Sequence, residues 1–290
     1  MKFVLGKLSP MSSTDHPSDS IEGHRQRGIQ SIEVGGQLLH AMAHTGLPMA
    51  LKELAREADM PAAKIHAYLV SFARIGLMKQ DPETGRYLLG PLALQLGLIS
   101  LKQANPVQVA AAELPALTRR IGHTAAVSIW GSRGATIVRL EESPAPIHVN
   151  MRQGTVFSLT GTATGRLFAA FHSDEDAKRL LKAEQQRQKA HPEPVIANVP
   201  PPSAVPSWAN FLPLLREVRQ HGLCRSQGET LPGVNAMAVP IFDHQGEIAA
   251  AITAVGPAAT LDVGLQGQIA LELRACAQRV AKELGAPGNA

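Results

Sequence analysis

Lys64 and His66 stand near the start of a stretch, Pro61 to about Ile75, whose apolar residues recur at helical spacing. An ammonium and an imidazole on the first turns of an exposed helix are donors for a phosphate oxygen or a base edge. Ala62, Ala63 and Ala67 beside them offer methyl groups of the kind that pack on thymine methyls. The same face is poor in Arg, Asn and Gln, the usual base readers. Lys79, Arg86 and Tyr87 flank a DPETG turn, where they can touch phosphate or a minor groove. Lys52 and Arg56 lie just upstream, and Arg25 and Arg27 precede the first helical pattern as a basic arm or as solvated charges. Cations in such positions neutralise phosphates and make affinity salt-dependent.

A second kind of chemistry is written at Leu159-Thr160-Gly161-Thr162-Ala163-Thr164-Gly165-Arg166. Small and hydroxyl residues run there straight into a helix start, where free N–H groups and the helix dipole favour an anion such as a carboxylate. A capped tight turn is the structural alternative. No Gly-Lys-Ser/Thr follows, so this is not a phosphate loop. Ser226 and Gln227, Asn235 and Ala236 in Gly233-Val234-Asn235-Ala236, and Thr253 with Val255 in Ile252 to Pro257 sit on or beside predicted strands. Catalytic patterns are missing: there is no HExxH, no GxSxG and no carboxylate pair at a helical spacing that demands acid–base work. His148, His172, His191 and His221 are scattered. Cys224 and Cys276 have no metal spacing and read as reduced, semi-buried thiols. No metal and no cofactor are expected.

These residues need elements to hold them. Leu51, Leu54, Ala55 and Ala58 recur three and four apart and make one face of a short helix. Met60-Pro61 ends it, because the residue before a proline leaves the α region while proline suits the first turn of a new helix. In the helix from Pro61 to Ile75 the inward face is Ile65, Tyr68 or Leu69, Phe72 and Ile75. Ala63, Lys64, His66, Ala67, Val70 and Ser71 face outward, and Gly76 is the C-cap candidate. Leu77 to Gln80 and Arg86 to Leu89 read as strands of a wing around Asp81-Pro82-Glu83-Thr84-Gly85. An upstream helix, Ile29 to about His44 with Ile32, Leu39 and Met42 inward, completes a three-helix core. Helix, turn, helix and wing in that order place one helix in a DNA groove. An ordinary helical subdomain with a hairpin is the plainer reading of the same pattern.

Gly90-Pro91 opens a further helix with two apolar stripes, Leu92, Leu96 and Ile99 on one and Leu94, Leu98 and Leu101 on the other. Such a helix must be covered, by the wing domain or by a second subunit. Asn105-Pro106 marks a domain boundary. Beyond it, helices are predicted at Val107 to Ile121, Thr164 to Phe171, Asp174 to Lys189, Trp208 to His221 and Leu261 to Leu284. Strands are predicted at Ala125 to Trp130, Ile137 to Glu142, Cys224 to Gln227, Ala236 to Phe242 and Glu247 to Val255. Ile147 to Met151 is extended and His191 to Ser207 is a proline-rich connector. Clustered antiparallel strands with helices at both ends indicate an α+β domain. The expected divisions are a disordered tail at 1–27, a winged helix-turn-helix at 28–89, a linker helix at 90–104, an α+β domain at 105–285 and a flexible C-terminus at 286–290.

A chain of 290 residues is long enough for two domains. Its formal net charge of +4 permits DNA binding without demanding it. No apolar run approaches membrane-spanning length, and Met1 to Leu8 is too short and too weakly apolar for a signal peptide. A cytoplasmic chain with no membrane partner is the expectation.

Residues 51 to 90, LKELAREADMPAAKIHAYLVSFARIGLMKQDPETGRYLLG, resemble the pattern LxELAxxxGLPxSTVHRLLxxLxxxGYLxxDPxTGRYxLG of the IclR-type transcriptional regulators. The resemblance is close from about Ile29 to Leu101 and looser to Gly285, and the DPETGRYLLGP wing is its most specific piece. Within the helix after Pro61 the chain departs from the pattern: the Ser-Thr pair is Ala63-Lys64, and the Arg after the His is Ala67, while His66 is kept.

The resemblance implies an N-terminal winged helix-turn-helix joined by a linker helix to an α+β, GAF-like effector-binding domain. It implies a ligand-responsive repressor or activator of catabolic genes, acting on a palindromic double-stranded DNA operator as a homodimer or homotetramer. It also implies that the loop at Thr162, Ala163, Thr164 and Gly165 lines the effector pocket, with Ser226, Asn235, Ala236, Thr253, Val255 and Met151 as further ligand-binding positions. Members that bind small keto acids carry Ser at the positions of Thr253 and Val255, and many have a polar residue or Cys at Ala236. The expected effector is therefore a carboxylate with a larger or more hydrophobic body. Two rival readings are a small-acid-converting enzyme on a GAF-like domain and an interaction module with degraded DNA specificity.

Overall fold

The computed structural model describes residues 28–145, 149, 151–190, 204–229 and 231–286. They form two compact units that part between Lys102 and Gln103. The expected tail at 1–27, with Arg25 and Arg27, lies outside the described residues, as do His148, His191 and most of the connector.

The first unit packs α1 (Gln30–Thr45), α2 (Leu51–Glu57) and α3 (Ala62–Arg74) around Leu38, Met42, Leu54, Ile65 and Leu69, with Met78 of the wing closing the core. The wing is β1 (Met78–Gln80) paired antiparallel with β2 (Tyr87–Leu89). Its turn is held by Asp81, whose carboxylate accepts from the Glu83 N–H at 3.0 Å and the Thr84 hydroxyl at 2.7 Å, and Gly85 takes φ 68°. Gly90 is required by close approach: a Cβ there would lie 2.3 Å from the Gly76 carbonyl oxygen. After it, α4 (Pro91–Gln103) begins.

Two inward assignments are corrected. Ile32 is 71% exposed and Ile75 58% exposed. In α1 the buried stripe runs through Gly35, Leu38, Ala41 and Met42, which turns Ile32 away from the core. Ile75 falls after the last turn of α3, where the chain bends into Gly76 at φ 74° and no longer follows the helix face.

The second unit is a five-stranded antiparallel sheet in the order β4-β3-β7-β6-β5, with helices on both faces. In chain order it comprises α5 (Pro106–Ile121), β3 (Thr124–Gly131), β4 (Gly134–Glu141), α6 (Ala163–Phe171), α7 (Asp174–Ala190), α8 (Trp208–His221), β5 (Cys224–Gln227), β6 (Val234–Phe242), β7 (Ile248–Pro257) and α9 (Gln268–Glu283). Asn105 caps α5, its side-chain oxygen accepting from the Val107 and Gln108 N–H groups. Alternation along the strands divides the core. Met237, Val239, Ile241, Ile252 and Ala254 face α5 and α9. Ala236, Ala238 and Ala251 face α6, α7 and α8.

The expected helix from Leu261 to Leu284 starts late, at Gln268. Leu261 and Val263 are both buried at alternate positions, an extended rather than helical spacing. Asp262 turns the chain by accepting from the Gly264 N–H at 2.9 Å.

The α2–α3 turn carries a cost. Asp59 has φ 49°, the one non-glycine residue with positive φ among the described residues, at the position where the family pattern has Gly. A side chain in the left-handed region is destabilising, and Gly relieves it. Asp59→Gly should stabilise the turn by about 0.5–1 kcal/mol. Amide exchange of α2 and α3 in the intact chain should slow by about two- to fivefold.

Candidate DNA-reading surface and effector pocket

In α3 the sequence separates two faces. Ile65 and Leu69 are buried, while Ala63, Lys64, His66, Ala67, Val70 and Ser71 are exposed. Pro61 precedes the helix and no side chain caps it. The Pro61 carbonyl accepts from the Lys64 and Ile65 N–H groups, which leaves the earlier first-turn donors outside the helical ladder. Lys79 is exposed on β1, and Lys52 on α2.

Arg86 and Tyr87 behave differently from the expectation. The Arg86 guanidinium donates to Glu53 at 2.8 and 3.2 Å and to the Pro48 carbonyl at 2.9 Å. It ties the wing to the start of α2 instead of extending from it. Tyr87 packs partly buried against the helical core, and its backbone exchanges hydrogen bonds with Met49 at 2.8 and 2.9 Å. Glu53 also accepts from the Ala50 N–H at 2.8 Å, half of a capping box, since alanine has no side chain to reciprocate.

In the second unit, pairing across β5, β6 and β7 sets Ser226, Ala236 and Val255 in one row and Cys224, Ala238 and Thr253 in the next. Both rows face α6. Thr164 reaches down from its first turn, its hydroxyl 2.8 Å from that of Thr253, with both residues buried. Thr162 caps α6, accepting from the Gly165 N–H at 3.0 Å. Gly165 is there for close packing: a Cβ would lie 2.0 Å from the Ser158 carbonyl oxygen. Thr162, Ala163, Thr164, Gly165, Ser226, Ala236, Thr253 and Val255 thus gather at one end of the sheet.

Asn235 is not among them. One position off the row, it points to the opposite face and donates to the Leu261 carbonyl at 3.0 Å. On that same face His123 lies 3.2 Å from the Thr260 carbonyl, so the two side chains hold the 260–261 segment. Met151 is partly buried outside any strand, and no described contact joins it to the row.

Two further side chains hold the region around α6. Glu184 is buried, and one carboxylate oxygen accepts from the Ser158 hydroxyl at 2.6 Å and the Leu159 N–H at 3.0 Å. Its signal was present: with Ala177 and Leu181 it continues the buried stripe of α7, a carboxylate where an apolar residue is expected. Arg166, on a helix buried along nearly its whole length, is the other.

Burial pushes the Cys224 and Cys276 thiols up to about 11, which leaves neither as a ready nucleophile. Among the described residues no cluster of His, Cys, Asp or Glu could hold a metal ion, and no helix is long and apolar enough to cross a membrane.

Residues 31–82 match the IclR helix-turn-helix domain, and residues 99–282 match the C-terminal domain of the bacterial transcriptional regulator IclR. The chain belongs to the IclR family of DNA-binding transcriptional regulators. Members of this family are regulators and not enzymes. The chain is 25% identical over 262 residues to the glycerol operon regulatory protein of Streptomyces griseus, covering 90% of this chain and 98% of that one. It is 24% identical over 267 residues to the DNA-binding transcriptional repressor YiaJ of Escherichia coli, covering 91% of each. The crystal structure of Pseudomonas aeruginosa HmgR superposes with a TM-score of 0.78 at 33% identity, over 90% of this chain and all of that one. The helix-turn-helix is the DNA-binding unit of this regulator and the sheet domain its effector unit.

Two outcomes follow from this geometry. Hydrogen bonds from Ala50 and then Arg86 hold the Glu53 carboxyl below its ordinary value of 4.5. A lowered folded value means the clamp is complete above the carboxylate range and is lost only as pH falls through that lowered value. The Glu53 carboxyl carbon shift should titrate below 4.5 in the native chain, and Arg86→Ala should move the midpoint part of the way back. Between α6 and β7, Thr253→Val strands the Thr164 hydroxyl in a buried site and should cost about 1–3 kcal/mol. The double variant Thr164→Val/Thr253→Val should recover part of that loss by urea unfolding, and strictly additive losses would show that the two hydroxyls are not coupled.

Proposed function

We propose that this regulator binds a palindromic operator as a homodimer or homotetramer and controls catabolic genes in response to a small organic acid. The observation that carries the reading is the face of α3. Its apolar side is spent on the domain core, and its other side presents Lys64 and His66 uncovered at the start of the helix. That is the placement a recognition helix needs to enter a major groove. Lys79 and Lys52 supply phosphate contacts from the flanking elements, while Arg86 serves indirectly by holding the wing. Self-association is supported by α4, where Leu94 is 65% exposed and Leu96, Leu98, Ile99 and Leu101 are about half exposed within the single chain. Two operator half-sites would then lie about one DNA turn, or a multiple of it, apart.

The effector is a carboxylate whose body is larger or more apolar than that of a small keto acid. Support comes from the row Ser226, Ala236 and Val255, where one hydroxyl stands beside two apolar side chains, with the α6 start above it. A ligand seated there must bind one arrangement of the paired DNA-binding units better than the other, with a coupling of about 1–3 kcal/mol. Repression is favoured by the likeness to a repressor, and the cytoplasm is the place of action.

Fluorescence anisotropy on the DNA upstream of the protein's own gene, against a scrambled duplex at fixed salt, tests the reading. A preference of about a thousandfold or more is expected. Lys64→Ala with His66→Ala should erase that preference and keep nonspecific binding, while Lys79→Ala should weaken both duplexes and lower the salt slope by about one. Equal losses on both duplexes from the α3 substitutions would move base reading away from this helix and favour an interaction module.

A further inference from the structure

A cavity of about 200 Å³ lies along β5, one of the two edge strands of the sheet. Leu214, Val218, Leu223 and Leu265 give it apolar walls, and Arg166 and Glu229 line it together. None of the effector positions named above lines it. The Arg166 side chain is only 9% exposed, and its Nη1 pairs with the Glu229 carboxylate at 2.6 Å. Nη2 donates to the Arg225 carbonyl at 2.8 Å. Nε is buried with no oxygen to receive its hydrogen, and apart from these two partners the guanidinium has only the weakly accepting Cys224 sulfur beside it. A buried guanidinium with an unmet donor is costly, because a lost hydrogen bond is not replaced by water. Glu229, by contrast, is 46% exposed, so its own carboxylate is rehydrated when it turns to solvent, and the cost of parting falls on Arg166 unless another anion takes the vacated place.

We propose that this cavity is a second ligand site, for a small monocarboxylate with an apolar body, in which Glu229 occupies Arg166 until the ligand replaces it. The exchange is like for like. A carboxylate offers two oxygens to a guanidinium fork and satisfies more of its donors than the single contact Glu229 makes. The charge balance fits a monoanion: with Glu229 turned outward, Arg166 and Arg225 face Glu217 alone among the charged residues lining the cavity. The leucine and valine walls then take the apolar part of the ligand. Arg166 belongs to α6, whose first turn carries Thr162 to Gly165, and β5 carries Ser226. A molecule seated at β5 therefore touches the same two elements that frame the effector row, from outside it.

Benzoate is the probe, titrated by calorimetry into the full chain. Three variants separate the sites. Glu229→Gln removes the internal competitor's charge at a half-exposed position. If Glu229 holds Arg166 in nine molecules out of ten, the apparent Kd should tighten by about tenfold. Leu214→Trp, at a partly exposed wall position, should fill the cavity and weaken benzoate at least tenfold while the unfolding temperature is kept. Val255→Ser, in the effector row, adds no bulk under α6 and should leave the benzoate affinity of the Glu229→Gln chain unchanged. Glu229→Gln without tightening overturns the proposal, and so does benzoate binding that Leu214→Trp spares or Val255→Ser abolishes. No binding to either the native or the Glu229→Gln chain also overturns it. None of these results depends on operator binding.

Discussion

The effector unit depends on one close approach. The start of α6 lies against the Ser158–Leu159 backbone because Gly165 has no Cβ, and any side chain there would enter the Ser158 carbonyl. That contact lets Thr164 reach the sheet and meet Thr253. It works only because the sheet face below is built of small residues: Ala126 and Ser128 on β3, Ala236 and Ala238 on β6, and Ala251 on β7. Larger side chains there would lift α6 away, as overpacking a dense interior forces backbone shifts. The helix, its capping Thr162 and the row Ser226, Ala236 and Val255 are thereby held in one small region. Glu184 adds the polar half of the constraint, since its carboxylate fixes the loop that the glycine lets in.

The DNA-binding unit solves a related problem with a short helix. α3 must be anchored firmly yet leave its reading face bare. Ile65 and Leu69 do the anchoring from one side, with Tyr68 and Phe72 partly covered beside them. The wing needs its own anchor, because a two-strand ribbon alone is marginal in water. Arg86 supplies it through Glu53 and Pro48, and Tyr87 adds a backbone bridge to Met49. The arginine that the wing motif most invites one to place on a phosphate is thus engaged by Glu53 and Pro48. Lys64, His66, Lys79 and Lys52 stay exposed around it, which is why the proposed DNA contacts are assigned to them.

Most of the architecture was legible because it rests on periodicity. Helical spacing in 51–75, the DPETG turn and the alternation in the later strands each reflect a burial requirement that the residue types record. The misses share a cause. Ile32 and Ile75 are apolar residues at the ends of helices, where the face turns away and residue type no longer reports burial. Leu261 and Val263 alternate over too short a run to be distinguished from the helix that follows. Asn235 is a ligand position only by the resemblance, but a strand changes face at every residue, and only the register with Ser226 and Val255 reveals which side it takes. Glu184 and Arg166 were invisible as partners, because pairing across 26 or 59 positions is a property of the fold and not of spacing.

Arg166 shows why such residues matter to how a sensor of this kind can evolve. A row of small apolar and hydroxyl groups can be altered by single substitutions without stranding a charge, and Ala236 and Val255 both differ from the family pattern. A buried guanidinium cannot be traded so freely, because removing either it or its partner leaves a charge without compensation. The Arg166–Glu229 pair is asymmetric in this respect. The arginine is enclosed and fixed to β5 through the Arg225 carbonyl, whereas the glutamate is half in solvent and loses little by leaving. The permanent cost falls on the arginine, which needs a carboxylate beside it whichever one that is. An ion pair built this way is a weak contributor to folding, and it sits on the same helix whose first turn carries Thr162 to Gly165.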